Sequence, residues 1–263
     1  MIHLLYISTL SFAWEIKSNS AGQNLHWKER EISFYINTGT SPIPEEEAKQ
    51  AILSASQSWN FSTPELIFQG TTNQRTIDHR DEEFTIFFDH NWSEDPDILA
   101  FAYTWSNEEG EIVHFDIAIN AEHHDWSADG SLEKHDLQNT VTHEFGHVLG
   151  LDHSSIPEAT MSPSAPAGEL SKRELHEDDL LGYHVIYPEQ LASGSSEETE
   201  DSPEENTNSN HQGTTSSGGT RPPATKGGYG LTMPEAGCAH QKSAPGGWMF
   251  LFGLLLWRRI QKS

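Results

Sequence analysis

Apolar and polar residues alternate through Ile32-Ser-Phe-Tyr-Ile36, the period of a strand with one buried face. The pattern then changes. Pro44-Glu-Glu-Glu47 opens a segment in which Ala48, Ile52, Ala55 and Trp59 fall on one helical face, and its acidic residues suit a first helical turn. Leu66-Ile-Phe68, Phe84–Phe88 and Ile112–Ile119 read as further strands. Helical spacing returns with Leu137, Val141, Phe145 and Val148, behind Asp136 as N-cap, and again from Leu175 to Tyr187, where Pro188 stops it. Mixed strands and helices in this order predict an α+β domain with one core.

Beyond that point the pattern disappears. From Leu191 to Glu235 the chain is rich in Ser, Thr, Gly, Pro, Asn and Glu, which cannot bury a core and predict a disordered linker. Gly237-Cys238 and a polar spacer then lead to the apolar run Trp248–Trp257, followed by Arg258-Arg259. The chain divides into a signal peptide and leader (1–23), a folded domain (24–190), a linker (191–236) and a C-terminal sorting or membrane segment (237–263). His3 to Ala13 supplies an apolar stretch, and Ser11-Phe-Ala13 places small residues at suitable cleavage positions.

Composition narrows the partners. The 263 residues are 35% hydrophobic, enough for one substantial core, and the net charge of −25 argues against nucleic acid or an anionic membrane surface. Some of that charge sits in Glu197–Asp201 and Glu204-Glu205 of the linker. One cysteine excludes an internal disulfide, so the fold must rest on packing and metal binding, and the chain reads as a monomer.

The chemistry concentrates in His143-Glu-Phe-Gly-His147-Val-Leu-Gly150-Leu-Asp-His153. One helical turn separates His143 from His147, so both imidazoles can reach one ion, with Glu144 beside them off the ligand positions. Gly150 can take the left-handed conformation that reverses the chain and brings His153 back as third ligand. Three protein ligands leave a zinc position open to water, and Glu144 is placed to act as general base and then general acid in peptide hydrolysis. A histidine pair at this spacing alone is as readily a solvated helix face or a structural metal site. The third histidine, the carboxylate and the glycine together favour catalysis.

This segment resembles the extended zinc signature of the metzincin clan, and Ser154 with Ala159-Thr-Met161-Ser-Pro163 resembles its matrixin branch. The resemblance covers about residues 24 to 190 and implies a twisted mixed sheet, a zinc helix and a C-terminal helix. It implies that Met161 is the Met-turn under the metal, and that the strand before the zinc helix, Ile112–Ile119, is the sheet edge over the cleft to which substrate adds. Asp178, Asp179 and Gly182 stand as in similar bacterial sequences. Ser162 departs from the Tyr that many matrixins carry between Met and Pro, which bears on the pocket for the side chain after the cut. Animal matrixins often silence the zinc with a propeptide cysteine, and no cysteine precedes the motif here. His79, Asp81, His90 and His114 resemble, loosely, the family's structural zinc ligands, although surface or strand-packed histidines fit their spacing better. Structural calcium or a second zinc stays open, and His123-His124-Asp125 reads as a polar loop.

The C-terminus resembles a bacterial MYXO-CTERM sorting signal, which implies membrane-coupled processing and surface attachment through Cys238. Two functions follow: an exported, extracellular or cell-surface zinc endopeptidase acting on proteins or peptides, or a surface adhesin that keeps the fold without turnover. Glu144 favours the first, because a module that only binds has no chemical need of a general base.

Overall fold

A computed structural model describes residues 13–188 and the backbone of Gly237–Ala239. The expected signal peptide, linker, apolar run Trp248–Trp257 and Arg258-Arg259 lie outside the described residues, apart from Ala13. Among the described residues no helix is long and apolar enough to cross a membrane.

β1 (Glu31–Asn37) buries Ile32, Phe34 and Ile36, as its alternation requires. α1 (Glu45–Trp59) starts behind Pro44 and buries Ala48, Ala51, Ile52, Ala55, Ser56 and Trp59. Then come β2 (Glu65–Thr71), β3 (Thr85–Asp89), β4 (Ile98–Ser106) and β5 (Ile112–Asn120). Two short strands, β6 (Trp126–Ser127) and β7 (His135–Asp136), pair and lead into α2 (Leu137–Val148). A turn of 3-10 helix at Ser171–Arg173 precedes α3 (Glu177–Ile186), and β8 (Gly237–Ala239) is a further strand of the sheet.

The sheet order is β2-β1-β3-β5-β4-β8. β1, β2, β3 and β5 run parallel, β4 is antiparallel to β5, and β8 is antiparallel to β4. The fold is α+β with a mixed sheet. One expectation is corrected: Ile112–Ile119 is not the edge, because β5 is paired on both sides and β4 lies outside it. β4 carries no strand signature in the sequence. Its residues alternate between two buried surfaces, Ala100 and Ala102 on the main core and Phe101, Tyr103 and Trp105 in a cluster with Phe87, Trp92 and Ala118, so no polar face marks the strand.

α1 and α2 cover one sheet face. Trp59 on α1 donates its indole N–H to the Thr142 carbonyl at 2.8 Å, and Phe145 meets Phe34 edge-on with ring centroids 5.5 Å apart. The segment from Ala13 to Trp27 is packed onto this body. Lys17 N–H donates to Gly150 O and Asp152 N–H to Glu15 O, each at 2.9 Å, while Trp27 donates its indole N–H to Val148 O at 2.7 Å. The Trp27 contact satisfies a carbonyl left over at the end of α2, and the other two pair the segment with the chain that follows it.

Candidate active site

α2 begins as its sequence requires: the Asp136 carboxylate accepts from Asn139 N–H at 2.9 Å and also pairs with the Arg173 guanidinium. It ends in a Schellman arrangement, with Gly150 N–H donating to His147 O and Leu151 N–H to Gly146 O. Gly150 has φ of 97°, and a Cβ there would lie 2.4 Å from Leu25 O, so both conformation and space require glycine. The chain turns back at this point, and His153 returns to the helix.

The three histidines converge. One ring nitrogen from each of His143, His147 and His153 lies within 4.8 Å of the others, the only such cluster of potential ligands among the described residues. The ring centroids are 4.7 Å apart for His143 and His147, 4.9 Å for His147 and His153, and 5.3 Å for His143 and His153. His143 Nδ1 is 2.7 Å from Thr160 O, and His147 Nδ1 is 2.9 Å from Leu151 O. Those carbonyls can only accept, so each Nδ1 carries the proton and each Nε2 keeps its lone pair.

All three Nε2 atoms are buried and have no hydrogen-bond partner in the protein. Orphaned buried acceptors each cost about 1–3 kcal/mol, and three aimed into one space fit a divalent cation that prefers imidazole, such as zinc. Burial, with the Lys172 ammonium next in weight, holds His143 well below the usual imidazole range; burial and then Lys17 do the same for His147. Burial also lowers His153. All three are therefore neutral donors at physiological pH. Glu144 is fully buried beside them, on the same turn as His143.

α3 holds the loop beneath. Asp179 accepts from Thr160 N–H at 2.7 Å, Met161 N–H at 3.0 Å and His176 N–H at 3.0 Å, while Asp178 accepts from the Ser154 hydroxyl at 2.7 Å. The carbonyl that orients His143 and the backbone of Met161 are thus fixed by one carboxylate. Met161 is buried against α2, and Ser154 N–H donates to its carbonyl at 2.9 Å. Gly182 lets α3 approach, since a Cβ there would lie 2.8 Å from Leu151 Cδ2.

Two cations near the site were absent from the sequence reading. Lys17 is buried with its ammonium 3.5 Å from Thr104 Oγ1, and burial lowers its pKa to about 8 against the attraction of Asp152 and Glu144. Lys172 is fully buried and donates to the carbonyl of Ser162. No local pattern marks either one, because each reaches the site through tertiary packing.

The residues considered for a second metal form no group of three converging ligands among the described residues. His114 Nε2 lies 3.4 Å from Asp116 and 4.0 Å from Asp81, His79 packs on Trp105, and His90 Nε2 is 2.7 Å from the Thr40 carbonyl. His124 and His135 pack edge-on, at 5.2 Å between centroids. Cys238 lies in β8, at the sheet edge.

Comparison with known proteins agrees with this architecture. Human neutrophil collagenase is 31% identical over 171 residues, covering 62% of this chain and 34% of that protein. Human matrix metalloproteinase-16 is 29% identical over 169 residues, covering 61% and 27%. Karilysin of Tannerella forsythia is 30% identical over 175 residues, covering 65% and 35%. The matched region thus spans between 27% and 35% of the length of these relatives. The family model described as Matrixin matches residues 26–188, the span that builds the sheet, the helices and the histidine cluster, and the chain belongs to the matrixin family.

Proposed function

We propose that the chain is a zinc-dependent endopeptidase that hydrolyses peptide bonds of extracellular proteins. The carrying observation is the convergence of three buried, partnerless Nε2 atoms beside the buried carboxylate of Glu144. His143, His147 and His153 would hold the ion. Bound zinc supplies a Lewis acid that polarises the scissile carbonyl and brings the pKa of water down to about 7. Glu144 accepts the proton of the attacking water and passes it to the departing amine, so one residue serves as base and then acid. Thr160 O and Leu151 O keep the His143 and His147 rings in the donor tautomer throughout.

The test pairs two variants. Glu144→Gln keeps zinc and fold and lowers turnover of an unfolded protein substrate by about 10²–10⁴-fold, whereas His147→Ala loses the metal. Near-normal turnover by the glutamine variant sinks the mechanism. Failure of the zinc-loaded native chain to cleave would leave the binding-module reading, an adhesin with this fold.

Export and attachment belong to the same proposal, motivated by Gly237-Cys238, the apolar run and Arg258-Arg259. Cys238 would be the processing and anchoring point, with the catalytic domain presented outward. Mass spectrometry of surface-extracted protein should find the residues after this pair removed and Cys238 modified; an intact Ser263 end with an unmodified thiol would refute it.

A further inference from the structure

β4 is paired with β5 on its inner side, and its outer backbone groups face away from β5, on a strand that also packs against α2. A strand edge of this kind is a template for an added peptide, which gains affinity from main-chain hydrogen bonds. In this protein the chain itself takes the position. Gly237 lies opposite Phe101, Cys238 opposite Ala100 and Ala239 opposite Ile98, antiparallel, with a register slip between Ile98 and Ala100. The same short strand also approaches α2, the helix that carries His143, Glu144 and His147. It therefore lies in the strip between the sheet edge and the histidine-bearing helix.

We infer that Gly237–Ala239 is a built-in competitor for substrate: docked on β4, it occupies the backbone groups that would hold an extended peptide. The inference rests on the endopeptidase reading only for what it displaces. Each ladder bond contributes only about 0.5–1.5 kcal/mol net, so a three-residue strand binds reversibly. Tethering offsets that weakness, because a segment on the same chain meets its site at an effective concentration that reaches the order of mM. The intervening chain reaches up to about 3.3–3.6 Å per residue, so its length from Pro188 does not limit docking.

The experiment compares the full chain with the full chain carrying Gly237→Pro, Cys238→Pro and Ala239→Pro, which removes every donor of the strand. Amide hydrogen exchange over Ile98–Tyr103 reports docking without any need for turnover. Binding of a zinc-loaded Glu144→Gln form of each chain to an uncleaved extended peptide reports competition. Both should move in the proline variant: exchange at the β4 edge at least about threefold faster, and peptide bound at least about threefold more tightly, as expected when a tethered competitor is lost. Unchanged exchange overturns the docking, and unchanged peptide affinity overturns the competition. Absence of cleavage by the native chain bears on the endopeptidase reading alone.

Discussion

Gly146 lies directly against Met161: a Cβ on this helix residue would sit 2.2 Å from the methionine sulfur and 3.0 Å from Trp59 Cζ2. The motif glycine between His143 and His147 is therefore a packing requirement. It lets the methionine press on α2 beside the turn that carries His143 and His147.

Gly146→Ala should consequently destabilise the fold by about 1–3 kcal/mol, the usual cost of forcing volume into a packed core, despite alanine's better helix propensity. Thermal unfolding of the metal-free chain measures it. Adding Met161→Ala should recover part of the loss, since the overlapping sulfur is gone. A Gly146→Ala chain as stable as the native one would show that Met161 has room to retreat.

The site was legible where its chemistry and its geometry are both local. His143, Glu144 and His147 lie on adjacent turns of one helix and Gly150 just past its end, so spacing defines their relation without any packing, and Gly150 takes the left-handed conformation expected of it. His153 follows by a short return. α1 was legible because only one of its faces is buried, while β4 gave no signal because both of its faces are covered, and the edge was consequently placed on β5. Lys17 and Lys172 were illegible for a different reason. They reach the site from remote segments, and nothing in their own sequence surroundings distinguishes them from solvated lysines.

The histidine cluster makes stability depend on pH. Burial lowers His143 and His147 well below 6.5 and lowers His153 as well, so at intermediate pH the unfolded chain binds more protons than the folded one. Their contribution is complete above the unfolded imidazole value of about 6.5 and is lost as pH falls below it. The chelator-treated chain should therefore lose thermal stability between about pH 7 and pH 5, and in the loaded protein zinc content and hydrolysis should fall together below roughly pH 6 as protons compete for the same nitrogens. Metal analysis alongside a rate profile tests this. Full occupancy and full activity near about pH 4 would contradict it.

Lys17 sets a second dependence, of the same sign but on the alkaline side. Its ammonium is buried, and burial brings its pKa from the ordinary lysine value of 10.5 down to about 8, so the folded chain gives up this proton before the unfolded chain does. Below about pH 8 the buried charge is carried in full, at a cost on the order of 3 kcal/mol, and stability recovers as pH rises from there toward about 10.5. Lys17→Met keeps the apolar stem and removes the charge, and half-buried Asp152 loses little by standing alone. The variant should unfold at a higher temperature than the native chain at neutral pH and lack the rise in stability on the alkaline side. Its hydrolysis should change too: without the attraction of the Lys17 cation, the Glu144 carboxylate protonates more readily, and the acid limb of kcat/KM should move to higher pH. Unfolding curves at neutral and alkaline pH, read with the rate profile, separate the two effects. Identical stability and an unmoved acid limb would mean that the Lys17 charge is solvated in solution and acts on neither the fold nor Glu144.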